Sequence, residues 1–468
     1  MTRDPSNNLA RHLGTATGLM ILSIATGAGA QTPPFQPPPA TALPHAQALG
    51  LAQPTTPPGR PPLTLKDAED LALKNHPLVL AAQRDVAASG QALREVRAAF
   101  YPTLTGELTG SQGNDNARIG AGTLAASRLF DRFGQGVIFS QLITDSGRTP
   151  SLVASSKAQE QSRAQTYQAT REEVLLGVTT AYFGLLRAQG LVRVAQQTVT
   201  VRQLLFDQVN TLAQNNLRSQ LDVNFAEVNL ADAKLLLLSA QGAEQAADAN
   251  LTRALGADQP VTYQPVEEPL PAGPPSSADA LIAQAFTNRP ELAALRFDRE
   301  SAHRFADAER DLTRPTVGLV GVAGFLPFVN QEGSTPIPDK YEGVAVNVSV
   351  PVLNGGLYAA RHNAALFRAM EADQRLRDAE ERITRDVRVA WADATTGFQR
   401  LDVTAQFLRA AALAMDLAQG RYNLGLASIV ELTQAQLNLT RAEIENLSAK
   451  YDYQHLYAAL QYSLGLLR

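Results

Sequence analysis

The chain has no cysteine among its 468 residues. This absence excludes disulfide bonds, thiol catalysis, cysteine-ligated zinc and an N-terminal lipid anchor attached to cysteine. Charge is also sparse, since 18% of the residues are charged and 41 Lys and Arg face 45 Asp and Glu. A protein that binds duplex nucleic acid presents a concentrated basic surface, so this balance argues against a nucleic-acid partner.

Common catalytic motifs are absent as well. The sequence has no Gly-x-Ser-x-Gly elbow, no phosphate-binding Gly-Lys loop and no pair of histidines at helical ligand spacing. We therefore predict that the protein is not an enzyme and that it carries no catalytic residue, cofactor or metal site.

Outside the N-terminal segment, no apolar run approaches the roughly 20 residues that a membrane-spanning helix needs. At the N-terminus, Arg3 and Arg11 precede an apolar run from Leu13 to Ala25, and Ala28-Gly29-Ala30 forms a small-residue cleavage site. We predict a cleaved signal peptide at 1–30. The alternative is a single membrane anchor, which the shortness of the run disfavours. A mature protein that lies in a membrane must then do so as a β-barrel.

Proline divides the rest of the chain. Residues 31–62 are crowded with proline, which predicts an extended linker. In contrast, none of the 27 prolines falls within Ser151–Gln259 or Val352–Arg468. Because one proline costs a helix interior about 3 kcal/mol, this exclusion predicts long uninterrupted helices.

Apolar spacing within these two stretches is typical of coiled-coil seams. In the first stretch the seam positions are three or four residues apart, and Thr198 and Gln208 occupy two of them. In the second stretch an apolar residue recurs every seven residues. Their apolar members are Leu191, Val194, Val201, Leu205 and Leu212, and then Val430, Leu437, Ile444 and Tyr451. The polar interruptions suit helices packed around a wet space, and a solvated helical bundle remains an alternative.

The same plan occurs twice along the chain. Pro77 and Pro290 open matching segments (290 − 77 = 213), and Tyr182 matches Trp391 at a second offset (391 − 182 = 209) that persists to the C-terminus. We predict a first structural repeat at 63–261 and a second at 276–468, each a helix, a β-hairpin and a long helical hairpin.

Strand-like alternation lies between the helical parts of each repeat. The clearest example presents apolar β-branched residues on one face and small or polar residues on the other, and the apolar set is Val344, Val346, Val348 and Val350. Gly- and Asn-rich loops follow the first strand of each hairpin, at Gly113–Asn116 and Asn330–Gly333. Turns at Asp145–Gly147 and Asn354–Gly356 then lead directly from strand into helix.

Four strands in one chain cannot close into a barrel, whose smallest common size is about eight strands. Several chains that pool their hairpins solve this problem, with the helices continuing along the same axis. A helix from Thr149 to Ala213 has about 65 residues and spans about 100 Å, which suits a tunnel across the periplasm. Composition does not decide between two and three chains.

With these residues assembled, the chain resembles the TolC family of outer-membrane efflux proteins over Leu63–Arg468. The resemblance is carried by the paired Asn-x-Pro helix starts, the strand-to-helix turns and the stretch from Tyr422 to Leu432. It implies a mixed α and β fold, namely a homotrimer whose 12-stranded transmembrane β-barrel continues into a periplasmic α-helical coiled-coil barrel. It also implies a location in outer-membrane lipid, a periplasmic adaptor (membrane fusion protein), and an inner-membrane pump of the RND or ABC class.

Two turns between long helices are the first candidate sites. Asn216 and Gly425 occupy matching positions that suit the left-handed backbone conformation, and Ser219 and Ser428 can cap the helices that follow. The resemblance implies that both turns contact the adaptor, through Asn216, Leu217, Arg218, Ser219, Gly425, Leu426, Ala427 and Ser428. An ordinary helical-hairpin turn is the alternative, although exposed Leu217 and Leu426 would be unusual there.

The resemblance also implies functional positions beside these turns. Glu431 matches a family position that forms a carboxylate ring at the closed end of the tunnel, and Gln434 stands where a second acid is often found. Asp222 and Tyr422 match positions that hold this end shut, and Ala427 replaces a familiar basic partner. The alternative interpretation of each is an ordinary surface residue.

The sequence leaves three candidate functions open. A passive duct for efflux of small molecules such as drugs and a duct for type I protein secretion use the same tunnel, and the pump would select the substrate. A periplasmic coiled-coil scaffold or adaptor is the alternative from another class. Adaptors usually carry compact β-domains beside one helical hairpin, whereas this chain has two hairpin-plus-helix units.

Overall fold

The structure is a computed structural model that describes residues 61–112, 131–257, 263–330 and 339–467. The predicted signal peptide lies outside these residues, as do the loop at Gly113–Asn116, all of the second loop except Asn330, and all of the linker except Pro61 and Pro62. The described part of the chain is mostly helical with some sheet.

Eight helices, six strands and one short 3₁₀ turn, Asp311–Thr313, make up the described residues. The helices are α1 (Leu65–Asn75), α2 (Pro77–Ala98), α3 (Arg148–Gln214), α4 (Gln220–Ala254), α5 (Asp279–Asn288), α6 (Pro290–Arg310), α7 (Leu357–Asn423) and α8 (Ile429–Ser463). The strands are β1 (Pro62–Leu63), β2 (Thr103–Ser111), β3 (Asp131–Thr144), β4 (Gln264–Pro265), β5 (Thr316–Asn330) and β6 (Lys340–Ser349).

The long helices predicted from the absence of proline are confirmed. Helices α3 and α7 each contain 67 residues, and α4 and α8 each contain 35. At 1.5 Å per residue, α3 and α7 are each about 100 Å long. Part of α3 is long and apolar enough to cross a membrane, but 56% of that window is buried within the chain, which is typical of a core helix.

Left-handed glycines join the strands to these helices. Gly147 (φ 109°) precedes α3, and Gly355 (φ 61°) and Gly356 (φ 84°) precede α7. Side chains with a Cβ rarely adopt such φ values, so glycine lets the chain turn from strand to helix without strain. The carboxylate of Asp145 supports the first turn by accepting hydrogen bonds from the backbone N–H and the hydroxyl of Thr149, both at 2.6 Å.

The main sheet is antiparallel and has the strand order β2-β3-β5-β6. Both hairpins therefore lie side by side, joined through β3 and β5. Strands β2 and β6 are its edges, and each has one side that is unpaired among the described residues. A much smaller parallel sheet pairs Pro62 with Gln264 and Leu63 with Pro265, so the last residue of the predicted linker belongs to a strand.

The four long helices form a row with the order α4-α3-α8-α7. Helix α3 packs against α4 on one side and α8 on the other, and α8 packs against α7. Helices α4 and α7 are therefore the two ends of the row, as β2 and β6 are the two edges of the sheet.

The predicted seams are only partly correct. In α3, Leu205 is buried as expected, but Val201 is exposed and the buried series is Ala195, Thr198, Arg202, Leu205 and Val209. In α8, Tyr451 is buried, whereas Val430 and Leu437 are exposed. The face that packs within the chain therefore mixes large apolar residues with small and polar ones, which an apolar spacing rule does not detect.

Candidate functional site

The first tip joins α3 to α4. Asn216 adopts the predicted left-handed conformation (φ 57°), and the Leu217 N–H donates to the Leu212 carbonyl at 2.9 Å. The Ser219 hydroxyl then accepts from the Asp222 N–H, while the Asp222 carboxylate accepts from the Ser219 N–H. This reciprocal capping box satisfies two N–H groups that the first turn of α4 would otherwise leave unpaired.

The second tip, between α7 and α8, has the same construction. Gly425 has φ 74°, and the Leu426 N–H donates to the Arg421 carbonyl at 2.8 Å. Ser428 caps α8 by accepting from the Glu431 N–H at 3.2 Å. The predicted left-handed residues and serine caps are thus confirmed at both tips.

Apolar side chains project from both tips. Leu217 is 69% exposed and Leu426 is 67% exposed. Ala427, which the resemblance assigned to the same surface, is instead buried in the cluster beneath the tips. Its methyl group packs with Tyr422 and Ile429 in that cluster, so its side chain contributes little to an outer contact surface.

A single apolar cluster connects the two tips. It contains Val209 and Val223 from the first helical hairpin and Tyr422, Ile429 and Leu432 from the second. Because these side chains are buried together, the two tips are held as one unit within the chain.

Tyr422 lies at the centre of this unit, with its ring almost fully buried. The guanidinium of Arg218 lies 4.7 Å from the ring centre, which is within cation–π range. The Tyr422 hydroxyl has no hydrogen-bond partner among the described residues, and burial raises its pKa above the usual value. Asp222 lies near enough to contribute to this raised pKa, but no hydrogen bond joins the two side chains in the single chain, and Asp222 caps its own helix.

Glu431 is paired rather than isolated. Its carboxylate lies 3.1 Å from Nε of Arg421, and both side chains remain about half exposed. Gln434, one helical turn further along, donates to Asn438 at 3.2 Å. The sequence analysis placed Arg218 on the adaptor-contacting surface but did not predict its position over the Tyr422 ring, and it assigned no role to Arg421. Their positions in the sequence could have indicated these contacts, because residues on either side of a turn between antiparallel helices lie close together.

The two faces of the main sheet differ in chemistry along its edge strands, β6 and β2. Val344, Val346 and Val348 lie on one face of β6 and are exposed, whereas Val350 follows the end of the strand. The opposite face of β6 carries Gly343, Ala345, Asn347 and Ser349. On edge strand β2, Leu104 and Leu108 share one face, and Thr103, Thr105, Glu107 and Thr109 share the other.

Comparisons with known proteins agree on one family. The family model described as Outer membrane efflux protein matches residues 69–257 and 281–466. The outer membrane protein TolC of Vibrio cholerae is 26% identical over 422 residues, which cover 86% of this chain and 91% of the relative. The alkaline protease secretion protein AprF of Pseudomonas aeruginosa is 25% identical and covers 86% of this chain and 85% of its own length.

Solved structures show the same fold. The outer-membrane channel OprN superposes with a TM-score of 0.75 at 19% sequence identity, over 86% of this chain and 89% of that chain.

Proposed function

The chain belongs to the outer membrane efflux protein family, and we propose that it forms the outer-membrane duct of a tripartite export system. It is an outer-membrane protein that extends into the periplasm. In our proposal it is a passive homotrimer, in which three copies contribute four strands and four long helices each. These make a 12-stranded barrel continuous with a 12-helix tunnel.

The open edges of the chain are the observation that carries this proposal. The sheet ends at β2 and β6, and the row of long helices ends at α4 and α7. Pairing β6 with β2 of the next copy, and α7 with α4 of the next copy, would cover all four edges at once. An uncovered sheet edge in lipid leaves backbone N–H and C=O groups unpaired at several kcal/mol each, so closure is strongly favoured.

An exposed apolar stripe on α4 supports the same closure. Its spacing of four, three and seven residues keeps it on one face of the helix, and its members are Leu221, Phe225, Val228 and Leu235. Asp232 occupies the one polar position within this series. We call this surface the α4 stripe, and we propose that α7 of the next copy covers it.

We propose the domain organisation expected from the sequence. It comprises a signal peptide at 1–30, a proline-rich linker at 31–62 and structural repeats at 63–261 and 276–468. The succession of elements from α1 to α4 resembles that from α5 to α8, with long helices of equal length. The family model also matches two separate stretches of the chain. Both observations support an origin by duplication.

The sheet chemistry supports the orientation of the barrel wall. We propose that Val344, Val346, Val348 and Val350 face lipid, together with Leu104 and Leu108 on β2. The threonines, Asn347 and Ser349 would then face a water-filled interior, which is the alternation typical of transmembrane barrels.

The partners follow from the family and from the tips. We propose a periplasmic adaptor that contacts the exposed tip residues, and an RND or ABC pump in the inner membrane that supplies the energy. Efflux of small molecules and secretion of proteins both fit this tunnel, and the relatives include a TolC protein and a protease secretion protein.

Membrane association and conductance test this function together. Washing isolated membranes with high salt and alkaline carbonate should leave the mature chain in the pellet, and the purified protein should produce stepwise current increases in planar bilayers. A periplasmic scaffold or adaptor would be released by the wash and would produce no steps, which would contradict the proposal.

The ring of carboxylates yields a prediction about ion selectivity. We propose that three copies of Glu431, each followed by Gln434, surround the constriction at the tunnel end. Replacement of Glu431 by glutamine should lower the preference for cations about two- to fivefold, because a ring of negative charge attracts cations. Replacement of Arg421 by glutamine should raise it, since Arg421 offsets the charge of Glu431.

Reversal potentials in a KCl gradient measure this selectivity. The matched control is Asp279→Asn, which removes an exposed carboxylate from helix α5. An unchanged reversal potential in both Glu431→Gln and Arg421→Gln channels would show that the constriction lies elsewhere.

The latch proposal can be tested at Tyr422. We propose that in the closed trimer the Tyr422 hydroxyl donates to Asp222, whose carboxylate can accept more than the one bond it receives from Ser219. Tyr422→Phe should then increase the leak current, by about tenfold if one hydrogen bond to a charged group is lost. Arg218 serves as the comparison, since Arg218→Gln removes the cation above the ring and leaves the hydroxyl. Unchanged leak through Tyr422→Phe channels would exclude the latch.

A further inference from the structure

Tyr341 lies flat against the main sheet. An added Cβ on Gly324 would overlap its ring, and one on Gly136 would lie 2.5 Å from its hydroxyl oxygen. The ring therefore extends from β6 across β5 to β3. Only glycine leaves room for it at both positions.

The register of the sheet places an acid at the end of this ring. Tyr341 pairs with Gly324, Gly324 with Gly136, and Gly136 with Glu107. Directly paired residues point to the same face, so these four positions form one row across all four strands. Neighbouring strands lie about 4.8 Å apart, so the Tyr341 hydroxyl is about one strand spacing from the Glu107 backbone.

This row lies on the face that carries the polar residues of both edge strands, and the central strands add Ile138, Val320 and Val322 to the same face. Glu107 alternates with Leu104 and Leu108 along β2, and Tyr341 shares its face of β6 with Asn347 and Ser349. Under the proposed function this face lines the interior of the barrel.

The combination of groups selects a class of solute. An aromatic face attracts cations and stacks on flat apolar groups, and a carboxylate beside it adds charge attraction. Anions are repelled by the carboxylate and by the negative face of the ring. An organic cation with an aromatic part makes both favourable contacts at once.

We propose that Tyr341 and Glu107 form a weak binding site for aromatic organic cations on the inner wall of the barrel, with Gly136 and Gly324 keeping the ring flat. The inference rests on the proposed channel function and adds a preferred class of solute to it. Weak binding suits a duct, because a solute must enter the site and also leave it.

The glycines allow the ring to lie against the wall at this level. An alanine at position 324 requires the tyrosine ring to move away from the wall and into the lumen. Gly324→Ala should therefore move the ring away from Glu107 and weaken the block tested below, as Tyr341→Leu should.

Open-channel block in planar bilayers tests the site, with benzyltrimethylammonium as the probe. The wild type should be blocked in a concentration-dependent manner, and Tyr341→Leu and Glu107→Gln should each weaken the block about fivefold. Tyr341→Phe keeps the aromatic face and should retain the block. Benzoate, which has the opposite charge, should block neither the wild type nor the variants.

The chain offers matched controls on the other face of the sheet. Glu342→Gln removes a carboxylate from the residue next to Tyr341, and Phe139→Leu removes an aromatic ring. Both should leave the block unchanged. Equal block in wild type, Tyr341→Leu and Glu107→Gln would overturn the site, and so would equal weakening by the two controls. Absence of any conductance from the wild-type protein would instead overturn the proposed channel.

Discussion

Replacing Val228 and Leu235 by arginine is expected to abolish the proposed trimer. Both side chains lie in the α4 stripe and are about two-thirds exposed in the single chain, so they are available to a neighbouring copy. Burying a large apolar side chain contributes about 1.5–3 kcal/mol, and placing an unpaired charge in the same contact reverses this gain. Because the proposed ring contains three copies of this interface, its assembly should weaken by more than a thousandfold.

Light scattering of the detergent-solubilised protein measures the number of chains in the assembly. Glu227→Arg is the matched control, because it places the same charge on an exposed position of α4 away from the stripe. The double variant should appear as monomers and be lost from the outer-membrane fraction, whereas the control should remain a trimer. A double variant that still assembles would show that the α4 stripe does not face another copy.

Truncation of Tyr182 to alanine is expected to have the largest effect on the stability of one chain. Tyr182 is fully buried in the cluster that joins α1 to α3. Its hydroxyl lies 2.9 and 2.6 Å from the carbonyl oxygens of Leu63 and Val266, which share its single proton, and it accepts from the Val266 N–H. The alanine variant loses this packing and leaves a cavity, which costs about 3–5 kcal/mol.

A hydroxyl deletion separates packing from hydrogen bonding at this position. Tyr182→Phe keeps the ring but leaves backbone groups unpaired, at about 1–3 kcal/mol, so its thermal midpoint should lie between those of the wild type and Tyr182→Ala. The control is Tyr101→Phe, at an exposed position. A Tyr182→Phe protein as stable as the wild type would show that water replaces the lost bonds.

Tyr182 also shows how much the alignment of the two repeats can predict. The sequence aligned it with Trp391 as the equivalent position of the second repeat. The structure adds that both anchor segments outside the long helices, since Trp391 donates to the Pro275 carbonyl at 2.7 Å. Such contacts join residues far apart in sequence, and no local spacing encodes them.

The two tips also combine features that local sequence predicts with features that only tertiary packing decides. Ser219, Ser428, Asn216 and Gly425 were predictable because capping and left-handed turns depend on a few neighbouring residues. The burial of Ala427 and the position of Arg218 over Tyr422 depend on how two helical hairpins pack, so the sequence did not predict them.

By itself, the sequence determined the long helices and the two β-hairpins of this protein. Exclusion of proline dictated helices about 100 Å long, and period-two alternation dictated strands with one apolar face, because both are local constraints on the backbone. Only the tertiary structure decided which helix faces are covered within one chain, the order of the helices and strands, and the row from Glu107 to Tyr341. These depend on which of several similar apolar faces pack together, and that choice is made by contacts between distant residues.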